Sequence, residues 1–182
     1  MGLTSGRISG NFRGVNPQIQ EALSRAQLER LAATAREIWL EYYPAMLPVA
    51  QIRHMLDTFQ SADALERSRR EELYRYFLLV DADTGETLGY LAFKAETHRL
   101  FFNKAYLKKA ARGRGHFNRM LAFVEAQARA HGLATLYLNV NKDNAPAIAV
   151  YGKKGFVVNP QQRVDTAKGY HPDDLVMEKR LA

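Results

Sequence analysis

The chain of 182 residues contains no cysteine. That excludes disulfide bridges, a catalytic thiol and every zinc site built on thiolate ligands. No stretch approaches the roughly 18 consecutive apolar residues of a membrane span. The first residues lack the apolar segment of a secretory signal, and Gly6 stands where a myristoylation pattern needs Ser or Thr. No membrane association is therefore expected. His54, His98, His116, His131 and His171 are scattered, without His-Glu-x-x-His spacing, so no metal is expected. These absences fit a cytoplasmic enzyme.

Apolar residues make up 47% of the chain, enough for the core of one domain, and two domains would be cramped. The formal charge of +7 attracts polyanions, whether nucleic acid, anionic lipid or a phosphorylated cofactor, and does not choose among them. Residues 1–17, rich in Gly and Ser, are expected to be a flexible tail, and 18–182 the folded domain.

Hydrophobic periodicity orders the rest. Residues 19–23 alternate like a strand. Ser24 and Gln27 form a capping box, followed at helical spacing by Leu28, Leu31, Ala35, Ile38 and Trp39. Pro44 closes that helix, and Pro48 opens a second with Val49, Ile52, Leu56 and Phe59 on one face. Ser61 caps a third, charged helix running to about Glu72. The apolar runs 76–80 and 88–93 flank the turn Asp83-Thr84-Gly85-Glu86 as a β-hairpin, and 100–107 is the next antiparallel strand. A helix over 115–131 buries Phe117, Met120, Leu121, Val124 and Ala128 and ends at Gly132. A strand at 136–140, a short helix at 145–154 closed by Gly155, and strands at 156–158 and 175–177 complete the order. The expected fold is α/β, one mixed sheet with helices on both faces.

Arg112-Gly113-Arg114-Gly115 lies between a strand and a helix. Two glycines let the backbone approach a ligand, and the free N–H groups and dipole of a helix start favour an anion. The Walker pattern is absent, and the dinucleotide fingerprint fails at Asn118, where it needs glycine. On these four residues alone, a phosphate loop weighs equally with a basic surface turn or an RNA-touching Arg-Gly element.

A second segment breaks that tie. Asn144, Ala147, Tyr151, Gly155 and Phe156 follow the strand at 136–140. Together the two segments resemble the Gln/Arg-x-x-Gly-x-Gly/Ala and Asn-x-x-Ala-x-x-x-Tyr-x-x-x-Gly-Phe motifs of the GNAT acetyltransferase superfamily, in the same order and separation. The resemblance is closest over 76–158, and residues 173–179 are similar to the last strand of many bacterial members. It implies a mostly antiparallel seven-stranded sheet splayed between strands four and five, and transfer of acetyl from acetyl-CoA to a primary amine, on a small molecule, peptide or protein. The pantetheine arm would lie along Ala105, Tyr106 and Leu107, with a backbone N–H, assigned to Leu107, holding the oxyanion. Arg112, Gly113, Arg114, Gly115, His116 and Phe117 would hold the pyrophosphate. Asn144 and Ala147 would contact the cofactor, and Tyr151 would be the general acid. Tyr43, Gln51, His54 and Lys104 would face the acceptor. Homodimers are common among similar proteins, and no nucleic-acid partner is expected.

Two departures stand out. Phe117 replaces the small residue usual at the end of the first motif, and residues 101–107 lack the carboxylate base that some members carry there. Amine deprotonation then needs a water chain or another group. The departures also leave room for a non-catalytic acyl-CoA sensor. The basic charge leaves room for a nucleic-acid-binding module, although the interleaved aromatic and basic strand pattern of RNA-binding sheets is missing.

Overall fold

The computed structural model describes residues 15–164 and 173–181. Of the expected tail, Val15, Asn16 and Pro17 are described, and Pro17 already begins the first strand. A seven-stranded sheet, ordered β1-β2-β3-β4-β5-β7-β6, runs through the middle. Its strands are β1 (Pro17–Glu21), β2 (Arg75–Asp81), β3 (Thr87–Ala95), β4 (Leu100–Leu107), β5 (Thr135–Val140), β6 (Val157–Val158) and β7 (Leu175–Arg180). All neighbours pair antiparallel except β4 and β5.

Three helices, α1 (Arg25–Tyr42), α2 (Val49–Phe59) and α3 (Ala62–Glu71), come between β1 and β2. α4 (His116–Ala130) follows β4, and α5 (Ala145–Lys153) follows β5. Two buried clusters result. One contains Leu28, Leu31, Trp39, Ile52, Leu56, Leu65 and the β-strand residues Tyr76, Leu78 and Tyr90. The other joins Met120, Leu121, Val124 and Ala128 of α4 to Phe77, Leu79, Leu91 and Phe93. Strands β2 and β3 are apolar on both faces because both faces are covered, which explains their continuous apolar runs.

Local chemistry moves some expected boundaries. β1 ends at Glu21 because the backbone N–H groups of Leu23 and Ser24 both turn to the Gln27 side chain (3.0 and 2.9 Å), leaving Leu23 exposed. On α2, Ile52 and Leu56 are buried, but Val49 and Phe59 are exposed, so the apolar face is narrower than its spacing implied. On α4, Phe117 is only partly buried, packing at the edge of its cluster.

β4 and β5 pair only at Leu100↔Leu136 and Phe101↔Tyr137. Beyond that, β4 stays with β3 to Leu107, while β5 stays with β7 to Val140. The sheet therefore opens between its two parallel strands, at the end that leads into α4.

Candidate active site

A β-bulge shapes the strand at this opening. Ala92 faces Lys104 but Phe93 faces Phe102, so Asn103 is an extra residue on β4. The insertion shifts the alternation by one. Phe101 and Tyr106 pack with the α1–α3 cluster, while Phe102, Ala105 and Leu107 pack with the α4 cluster. Lys104 is thereby turned to the side of Tyr106, and both line a cavity of about 620 Å³.

The backbone of Leu107 faces the opening. The Lys108 N–H donates to the Leu88 carbonyl on β3 at 2.9 Å. In an antiparallel ladder the polar groups of successive residues point to opposite sides, so those of Leu107 point away from β3. Consistently, the Leu107 carbonyl accepts a 3.0 Å bond from Nε of Arg112. β3 can lie this close only because position 89 is glycine: a Cβ there would sit 2.2 Å from the Tyr106 carbonyl oxygen.

Aromatic contacts fix the strand end. Tyr90 and Tyr106 are cross-strand partners with stacked rings 5.2 Å apart. The Trp39 indole N–H bonds the Tyr90 hydroxyl at 3.0 Å, and the Tyr43 and Tyr106 hydroxyls lie 3.0 Å apart. Burial pushes the Tyr43 phenol up to about 12, and Tyr106 and Tyr90 well above their ordinary range.

The loop before α4 forms a second feature. Gly113 and Gly115 adopt φ of 72° and 79°, the left-handed region that favours glycine. Gly115 caps α4 without a side-chain hydrogen bond. Among the described residues, no backbone carbonyl accepts from the N–H groups of 113–117. A row of unpaired donors at a helix start suits an anion. Arg114 is exposed there. The Arg112 side chain is engaged elsewhere: it forks onto Glu41 (2.5 and 3.3 Å), bonds Leu107 and lies over the Tyr42 ring, tying α1 to the end of β4. His116 is buried with its Nε2 unbonded, and burial followed by the charges of Arg114 and Arg119 lowers its pKa.

α5 begins across the opening. Asn144 is buried and its side-chain oxygen caps the helix by accepting from the Ala147 N–H (3.3 Å), while also accepting from the Tyr42 hydroxyl (2.8 Å). Tyr151 packs edge-on against Phe117 and Phe156, each at 5.8 Å. Burial raises its pKa, with smaller contributions from Tyr43 and Tyr42. Its phenol is therefore neutral and carries its proton throughout the physiological range.

The cavity lies on the α1–α3 face. Of the four residues expected to face an acceptor, Tyr43, Gln51 and Lys104 line it; His54 is exposed on α2 and is not part of the lining. Residues not anticipated from sequence also line it, namely Gln60, Ser68, Glu72 and Tyr76, and so does Asp174. Ser68 and Tyr76 bond each other at 2.8 Å. Gln60 and Tyr76 follow helix or strand spacing that any core position shows, so nothing in the sequence singled them out.

The chain belongs to the Acetyltransferase (GNAT) family, whose model matches residues 32–156. Solved structures share the fold. The PaiA N-acetyltransferase from Thermoplasma acidophilum, in complex with coenzyme A, is 23% identical with a TM-score of 0.75, covering 91% of this chain and 99% of that one. A GNAT-family acetyltransferase from Staphylococcus aureus Mu50 (14% identity, TM-score 0.70, 91% and 99% covered) and Ard1 from Thermoplasma volcanium (17%, 0.67, 92% and 99%) are also similar. No curated protein sequence matches the chain.

Proposed function

We propose that the chain transfers acetyl from acetyl-CoA to a primary amine by direct attack in a ternary complex. The observation that carries this reading is the anion cradle of 113–117 beside the opening between β4 and β5, with a polar cavity on the other side of the same strand end. A similarly folded acetyltransferase was solved with coenzyme A, which supports the choice of ligand.

Acetyl-CoA supplies an activated thioester. The N–H groups of Gly113, Arg114, Gly115, His116 and Phe117 hold its pyrophosphate, with Arg114 adding charge. Arg112 acts mainly through Glu41 and Leu107, keeping the cradle and β4 in register. Ala105, Tyr106 and Leu107 guide the pantetheine arm, and the Leu107 N–H holds the oxyanion formed when the amine attacks. Asn144 and Ala147 flank the sulfur end, and Tyr151 donates to the departing sulfur. Tyr43, Gln51 and Lys104 meet the acceptor from the cavity.

A thiol-release assay with polyamines, amino acids, aminoglycosides and a lysine peptide tests the reading, alongside thermal shift with coenzyme A. The expected result is stabilisation by coenzyme A and turnover with at least one amine. Binding without turnover across the panel points instead to an acyl-CoA sensor, and absence of both contradicts the acyl-CoA reading outright.

A further inference from the structure

The family reaction needs a group that removes a proton from the acceptor ammonium, and β4 offers no carboxylate from Phe101 to Leu107. We propose that Lys104 is that general base, taking the proton at its Nζ; the inference rests on the transferase reading above.

Geometry is the first argument. The extra residue Asn103 turns Lys104 onto the cavity face, the same side as Tyr106 and just ahead of Leu107. Among the described residues Lys104 has no direct ion pair or hydrogen bond, and Glu72 acts on its proton only through the longer-range field. The cavity carboxylates, Glu72 after α3 and Asp174 before β7, come from other elements, whereas Lys104 lies on the strand that carries Leu107; the Tyr106 phenol on that strand keeps its proton, because burial holds its pKa well above the usual range. Gln60 gives independent evidence that the cavity receives a polar ligand: it is 2% exposed, lines the cavity, and neither of its amide atoms has a partner among the described residues.

The electrostatics agree. The titratable and charged groups facing this cavity are Tyr43, Arg67, Glu72, Tyr74, Tyr76, Tyr106 and Asp174. Lys104 is half-buried on the cavity wall, and its desolvation there lowers its pKa to about 8, with Glu72 opposing the shift. An appreciable neutral fraction then exists near neutral pH; taking a proton from an alkyl ammonium, which titrates near about 10.4, is uphill by about two units, and attack on the thioester draws the transfer forward.

The proton balance is complete. Neutral Lys104 takes one proton from the acceptor ammonium. The freed nitrogen lone pair forms the C–N bond at the thioester carbon, and the C–S bond breaks with its electron pair going to sulfur. The sulfur leaves as a thiolate held by a hydrogen bond from Tyr151 and takes up the second nitrogen proton through solvent, while Lys104 releases its proton to solvent.

The test measures kcat/KM from about pH 6 to about pH 10 with the two fastest panel amines that differ in basicity. The wild type should rise through an apparent pKa near 8 that stays put when the amine is changed. Lys104→Met should lower kcat by about 10²–10³-fold and abolish that limb, with coenzyme A affinity within about twofold. Lys104→Arg, which keeps the charge but cannot give up its proton, should be equally impaired. A Lys104→Met enzyme that keeps its rate or its limb overturns the proposal, as does rescue by Lys104→Arg, which would mean charge alone matters. Should the variants fail to fold, the wild-type profiles decide, since a limb that moves with the amine's own pKa contradicts Lys104. Turnover by the wild type with an unaffected variant sinks this inference alone, whereas coenzyme A binding with no turnover for any amine sinks the transferase reading with it.

Discussion

The role proposed for Tyr151 rests on where its ring packs. Phe117 and Phe156 enclose it and raise its pKa, so the phenol stays protonated well past neutrality. A thiol titrates near about 8.5 and a phenol near about 10. Full transfer to a thiolate is therefore uphill, and in the proposed reaction Tyr151 acts chiefly as a hydrogen-bond donor as charge builds on sulfur. Tyr151→Phe should lower kcat by about 10²–10³-fold while leaving coenzyme A affinity nearly unchanged. Because the folded pKa is raised, the protonated form persists as pH climbs, and kcat should show no falling limb from Tyr151 below about pH 10. A clear loss of rate near pH 8 with wild-type enzyme would contradict this. Gly89 is a second position decided by a single atom. A methyl there meets the Tyr106 carbonyl at 2.2 Å, so Gly89→Ala must push β4 away from β3. The expected cost is about 1–3 kcal/mol, read by denaturant unfolding, together with weaker coenzyme A binding because Leu107 moves with the strand.

At the scale of elements, α5 joins stability to the site through one side chain. Asn144 caps the helix and receives Tyr42, so Asn144→Ala should cost about 0.5–2 kcal/mol and raise KM for acetyl-CoA by shifting Ala147 and Tyr151 together. Asn144→Ser, which can still cap but not reach as far, should recover much of the stability and less of the KM. The local shape of the two motif segments was legible in the sequence because it is a matter of backbone geometry: glycines at positive φ before α4, an Asn cap and a Gly stop around α5. The bulge at Asn103 was not legible, since it depends on how β3 pairs with β4, and without it simple alternation would have put Lys104 on the opposite face. The Arg112–Glu41 fork was equally hidden, as its partners lie far apart in the chain and meet only once α1 packs beside β4. The exposure of His54 and Phe59 shows the same limit: helical spacing marks a face but not which part of it a neighbour covers.

At the scale of the molecule, two cores clamp one sheet from opposite sides, and the sheet opens only where β4 leaves β5. The proposed donor and acceptor regions reach that opening from different faces, which suits direct transfer between two bound substrates. The net charge of +7 and the exposed Arg114 add a long-range attraction for a phosphorylated donor. Coenzyme A affinity should weaken several-fold as salt rises from about 0.05 to about 0.5 M, because exposed charge is screened. Arg114→Ala should flatten that dependence, with titration calorimetry as the readout. The most direct measurement of the central claim follows the acetyl group itself. Acetyl-CoA labelled in the acetyl carbons is incubated with the protein and the amine panel, and thiol release and labelled product are counted together. Acetyl transfer predicts one labelled, amide-linked product for each thiol released, and a loss of both in Tyr151→Phe. Thiol release without labelled amine, or no release from any amine while coenzyme A binds, would contradict it.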